Sequence, residues 1–123
     1  MAIKYEFAND VKELANRVNQ IGELGLDMTR IQFIRSYNSR SNAIARVIMM
    51  PSQWRFILHP QILYVVEVIS EKYDILSCEK RVEVIFHELT HIPMGMTGGL
   101  RGHNAKEFRH AKRKSLEISK KIC

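Results

Sequence analysis

The sequence predicts an α+β domain: a small mixed sheet of about three strands packed on a central helix, with further helices near both ends. Three observations predict it. Apolar residues recur at helical spacing near the start of the chain and in two later segments. Between the first two of these helices lie β-branched and apolar runs at 29–36, 43–50 and 61–69. The 123 residues are 46% hydrophobic and 26% charged. That is enough for one modest core and too little for two ordinary domains, so 1–123 is expected to be a single domain.

The elements follow in order. Phe7, Val11, Leu14, Val18 and Ile21 fall on one face of a helix over roughly 7–23, with Asn9 or Asp10 as cap and Gly22 and Gly25 to end it. Ile31, Phe33 and Ile34 mark a strand, the polar stretch Tyr37–Asn42 a turn, and Ile44, Val47 and Ile48 a second strand, together suggesting a hairpin. Pro51 stops that strand or starts a short helix over Ser52–Leu58. Ile62–Ile69 is apolar on both faces, as a covered strand would be. Ser77 can cap a helix from Cys78 to about His91. Pro93, Gly95, Gly98 and Gly99 make the next dozen residues a loop. Asn104 and Glu107 have capping-box spacing for a last, basic helix over 104–121.

Charge and composition exclude several classes. The net charge is +6, yet residues 1–100 hold 11 Lys/Arg against 11 Asp/Glu, so the excess belongs to the C-terminal segment from Arg101 onward. No stretch has the roughly 20 apolar residues of a membrane span, and the N-terminus lacks a signal peptide's apolar run. Cys78 and Cys123 form neither a CxxC pair nor a disulfide framework. They point to free thiols in a reducing, cytoplasmic setting.

His87-Glu88-Leu89-Thr90-His91 carries the chemistry. On a helix, His87 and His91 lie about 40° apart on one face, while Val82, Ile85, Phe86 and Leu89 anchor the other side. Two imidazoles at that spacing can hold one Zn²⁺ and leave coordination positions open. The ion would polarise a substrate carbonyl and bring the pKa of a bound water towards about 7, and Glu88 stands where it can take that water's proton. A catalytic zinc usually has a third protein ligand. His103 is the first choice, because Gly98, Gly99 and Gly102 let the loop turn back over the helix. Glu107 and His110 compete with it. Met94 and Thr97 occupy the positions where a metzincin would place Gly and its third His. His59 reads as a loop histidine, Tyr64 and Tyr73 as structural, and Glu67 and Glu71 as solvated charges. Arg101 has three readings: steadying a carboxylate, steadying an oxyanion, or facing water.

HELTHIP at 87–93 and GGLRGH at 98–103 resemble the phage-type metallopeptidase family of archaea, their viruses and bacteriophages. The resemblance runs back through Tyr64–Asp74 and more weakly to Phe33–Ser36. It implies a minimal zincin-like domain, with His87, His91 and His103 as metal ligands and Glu88 as the acid/base. Thr90 stands where the family commonly has an apolar residue, a departure that leaves the ligand set intact. Zincins align extended substrates on an edge strand near the active-site helix, and by analogy the 61–69 strand is expected near that edge.

The function expected is therefore a peptidase with one zinc per chain, acting on extended polypeptide, inside an archaeal or virus-infected cell. The alternative is a zinc-stabilised nucleic-acid-binding module that uses the basic residues Arg109, Lys112, Arg113 and Lys114. In the peptidase reading the same residues offer a surface to nucleic acid or another acidic partner. No membrane partner is expected.

Overall fold

A computed structural model describes residues 1–123. Its elements are β1 (Lys4–Phe7), α1 (Asn9–Ile21), β2 (Ile31–Tyr37), β3 (Ala45–Met49), α2 (Ser52–Leu58), β4 (Tyr64–Ile69), α3 (Ser70–Tyr73), α4 (Cys78–Thr90) and α5 (Ala111–Ile122). Short 3₁₀ turns lie at Met28–Arg30 and Lys106–Phe108. The class is α+β, as predicted, with four strands rather than about three. The extra one, β1, is short and exposed along its length, which leaves no apolar pattern to read.

The strand order is β1-β2-β4-β3. β1 runs antiparallel to β2, β2 parallel to β4, and β3 antiparallel to β4. The expected hairpin does not form: β4 inserts between β2 and β3. Tyr64, Val66, Val68 and Ile69 are all buried, and a strand apolar on both faces gains most at an inner position. The polar segment after β2 becomes a crossover, held where Lys72 Nζ donates to the Ser41 carbonyl (2.8 Å) and the Ile69 amide to the Ile44 carbonyl (2.9 Å). The edge strands are consequently β1 and β3, and the 61–69 segment lies one strand inside β3.

One sheet face carries the core. Ile31, Phe33, Tyr64, Val66 and Val68 meet Val11, Ala15 and Val18 of α1 and Val82, Ile85 and Leu89 of α4. Each buried Val, Leu, Ile or Phe among them contributes ~1.5–3 kcal/mol. Arg35 ties α1 and the turn after α3 to β2, with guanidinium contacts of 2.7 Å to Asp10 and 2.8 Å to Asp74. Both carboxyls are held below their ordinary range: Asp10 chiefly by the Arg35 hydrogen bond, Asp74 by Arg35 and Ser70 against the opposing effect of burial.

Three expectations are corrected here. Cys78 and Cys123 form a disulfide joining the start of α4 to the residue after α5. The two cysteines are 45 residues apart, and only the packing of α5 along α4 brings them together. The cysteine argument for a reducing setting falls with this bond. Glu67 is not solvated: it is 1% exposed and pairs with Arg46 Nε at 3.0 Å. The last helix does not run from 104. His110 adopts a left-handed backbone (φ 58°) that separates the 3₁₀ turn from α5, and no Asn104 cap forms. No helix is long and apolar enough to cross a membrane.

Candidate metal centre

The site is built on α4. Ser77 accepts a hydrogen bond from the Lys80 amide and starts the helix. Val82, Ile85, Phe86 and Leu89 bury one side, so His87 and His91 emerge together on the other. His91 follows the last α4 residue yet keeps helical dihedrals (φ −66°, ψ −21°), which preserves the i, i+4 relation. His103 arrives from the loop. One ligand nitrogen from each of the three histidines lies within 4.8 Å of the others.

The donor set fits a metal ion. His87 Nε2 is 3.1 Å from His103 Nε2 and 3.3 Å from His91 Nε2. A tetrahedral zinc with bonds of about 2.0–2.1 Å sets ligand nitrogens about 3.3–3.4 Å apart. His91 Nδ1 is 2.7 Å from the Arg101 carbonyl, which only accepts, so Nδ1 carries the hydrogen and the Nε2 lone pair faces the other imidazoles. Burial, then the neighbouring His91 and His103, push the pKa of His87 down, favouring the neutral ring that a metal requires.

Glu88 lies beside this cluster, 7% exposed. Burial pushes its carboxyl up to about 7, and its Oε2 has no hydrogen-bond partner. A buried carboxyl oxygen without a partner, on the residue that follows His87, is a group that a positioned water would satisfy.

The loop bearing His103 is pinned from three sides. The Tyr64 hydroxyl accepts from the Gly98 amide and donates to the Gly99 carbonyl, both at 2.9 Å. Arg55 Nη1 donates to the Thr97 carbonyl (2.8 Å), with its guanidinium pressed against Gly98. Gly98 has φ +94°, a backbone conformation that favours glycine, and a Cβ there would also displace the Arg55 guanidinium. The Arg101 amide donates to the His91 carbonyl (2.7 Å), and its Nη1 lies 3.3 Å and 3.4 Å from the Thr90 and Ile92 carbonyls. Arg101 thus satisfies the open carbonyls at the end of α4.

Phe108 was missed as a site residue. Its ring packs 5.1 Å from His87, 4.7 Å from His91 and 5.4 Å from His103 between centroids, covering one side of the cluster. An aromatic five residues past His103 was the only signal, and it read equally as a helix face. Of the rival ligands, Glu107 instead approaches Arg101 Nε at 3.7 Å, and exposed His110 sits at the start of α5. His59 ends α2, exposed, with a left-handed backbone (φ 45°). Met96 is buried and its sulfur accepts from the Asp27 amide, while Met94 is exposed.

A cleft runs between α4 and β3. On one side of Glu88 lies a cavity of about 370 Å³ lined by Ile44, Ala45, Leu76, Lys80, Glu83, Val84 and His87. On the other lies one of about 190 Å³, lined by Arg46, Val47, His91 and Leu100. A further cavity of about 380 Å³, against Phe86 and Thr90, has mixed charges and touches none of the three histidines.

A small α+β protein whose helix presents two histidines and a buried glutamate, with a third histidine folded over them, has the layout of a metallopeptidase. The family described as "putative phage metallopeptidase" matches residues 3–121, and the chain belongs to it. No curated protein and no solved structure matches the chain significantly.

Proposed function

We propose that this protein is a zinc-dependent peptidase. His87, His91 and His103 hold one zinc per chain, and Glu88 is the general base and then the general acid. The observation that carries this reading is the buried, unpartnered Glu88 oxygen beside three converging imidazoles, at the midpoint of the cleft under β3. Zinc, when bound, would polarise the scissile carbonyl and acidify a water. Glu88 takes a proton from the attacking water as its oxygen bonds to the carbonyl carbon, then delivers it to the amine as the C–N bond breaks. The products are a carboxylic acid and an amine, and the carboxylate is regenerated. An extended polypeptide is the fitting substrate, because β3 offers unpaired backbone groups along the cleft.

The test is substitution of Glu88. Glu88→Gln is expected to retain one equivalent of zinc and the fold but lose cleavage of unfolded protein. A zinc-loaded wild type that cleaves no peptide library refutes the proposal. Lys112, Arg113 and Lys114 are exposed at the start of α5 and support a nucleic-acid or acidic partner there. Retention on heparin that is unchanged between low and high salt would oppose it. A cytoplasmic site of action is compatible with the Cys78–Cys123 bond where the cell interior preserves disulfides, as in hyperthermophilic archaea.

A further inference from the structure

The cavity of about 370 Å³ is bounded on one side by His87 and Glu88, and the proposed reaction gives the rest of its lining no role. Ile44, Ala45, Leu76 and Val84 make its wall apolar. Apart from Glu88, to which the proposed reaction already gives a role, its charged side chains are Lys80 and Glu83, which pair with each other at 3.3 Å. A charged guest would therefore lose its hydration without gaining an unpaired counter-charge, whereas an apolar one would gain by burial. The volume lies at the lower end of the range for small-ligand pockets, about 300–1,000 Å³, which suits one large side chain.

Position along the cleft gives the cavity a direction. Both α4 and β3 run from this cavity towards the smaller one: Lys80, Glu83, Val84 and His87 to His91 on the helix, Ile44 and Ala45 to Arg46 and Val47 on the strand. Glu88 belongs to both cavities and marks the point between them. A peptide added to the free edge of β3 gains most in the antiparallel sense, the better-paired arrangement. It then passes Val47 first, Glu88 next and Ile44 last. The residue after the reacting bond falls at the larger cavity.

We propose that this cavity is the specificity pocket for the residue immediately C-terminal to the cleaved bond, and that it selects a large apolar side chain such as leucine, isoleucine, methionine or phenylalanine. The proposal rests on the peptidase reading and deepens it.

The test is digestion of a peptide library by the zinc-loaded full chain, with the new N-termini read by mass spectrometry. Large apolar residues are expected at the new N-terminus at least about 10-fold above alanine, glycine, aspartate and lysine, since one methylene in an apolar pocket discriminates by about 10–200-fold. Ile44→Glu, at a side chain already 38% exposed, should shift that preference towards lysine and arginine with zinc stoichiometry unchanged. Cleavage without preference at this position, or with the apolar preference on the N-terminal side, overturns the proposal and leaves the peptidase reading standing. A second measurement does not need turnover. In zinc-loaded Glu88→Gln protein, the methyl resonances of Ile44, Leu76 and Val84 should shift with a leucine-containing peptide and stay unmoved by its aspartate counterpart. Methyls that respond to neither peptide overturn the pocket assignment. Methyls that respond as expected while wild type cleaves nothing would sink the peptidase reading but keep the pocket.

Discussion

Glu88→Gln tests the electrostatics of the site as well as its chemistry, through the stability of the metal-free protein. The Glu88 carboxyl rises from an ordinary 4.5 to about 7 because burial penalises its charged form. The folded state therefore keeps the proton to higher pH than the unfolded state does. Stability attributable to this group is present in full below about pH 4.5, declines as pH rises towards 7, and is lost above that. At about 1.36 kcal/mol per pH unit the loss approaches about 3 kcal/mol. His87 acts in the opposite sense: its lowered pKa costs stability as the pH falls below the ordinary imidazole value. That contribution is common to wild type and variant, so the difference between them isolates Glu88. In chelator-treated protein at pH 8, Glu88→Gln should be more stable by up to about 3 kcal/mol, roughly 10 °C in Tm. At pH 4.5 the gap should nearly close. Denaturant melts of both proteins at the two pH values measure this. A difference that is the same at both, or a variant less stable at pH 8, would refute the claim that Glu88 is a desolvated carboxyl without a partner.

Two further outcomes follow from the contacts around the site. Arg101→Ala removes the guanidinium from the Thr90 and Ile92 carbonyls and from Glu107. It should weaken zinc binding by about 10–100-fold in competition with a chelating dye, the usual effect of losing a group that orients a ligand; unchanged affinity would exclude a positioning role. The Cys78–Cys123 bond closes a long loop holding both α4 and α5, so Cys123→Ser should cost up to about 4 kcal/mol in unfolding free energy, and a variant as stable as wild type would count against the tether.

The helix, its two histidines and Glu88 could be read directly from the sequence, because i, i+4 spacing, a capping Ser77 and an apolar face are local properties of one segment. His103 was readable for a related reason: glycines mark a short loop that can turn back. The strand order was not. Periodicity identifies β2, β3 and β4 but not their pairing, and β4 sits between the other two, where both its backbone edges are hydrogen-bonded and its largely apolar side chains are buried. That long-range choice makes β3 an edge strand, buries Glu67 against Arg46, and places Tyr64 beneath Gly98 and Gly99. The packing of α5 against α4 joins Cys78 to Cys123, and the turn leading into α5 sets Phe108 over the imidazoles. By itself, then, the sequence determined that His87, Glu88 and His91 come together, since their spacing along one helix is enough to align them. Which strands lie at the edges of the sheet, and which side chains hold the loop of the third histidine in place, depended on contacts between distant segments, and only the tertiary structure decided those.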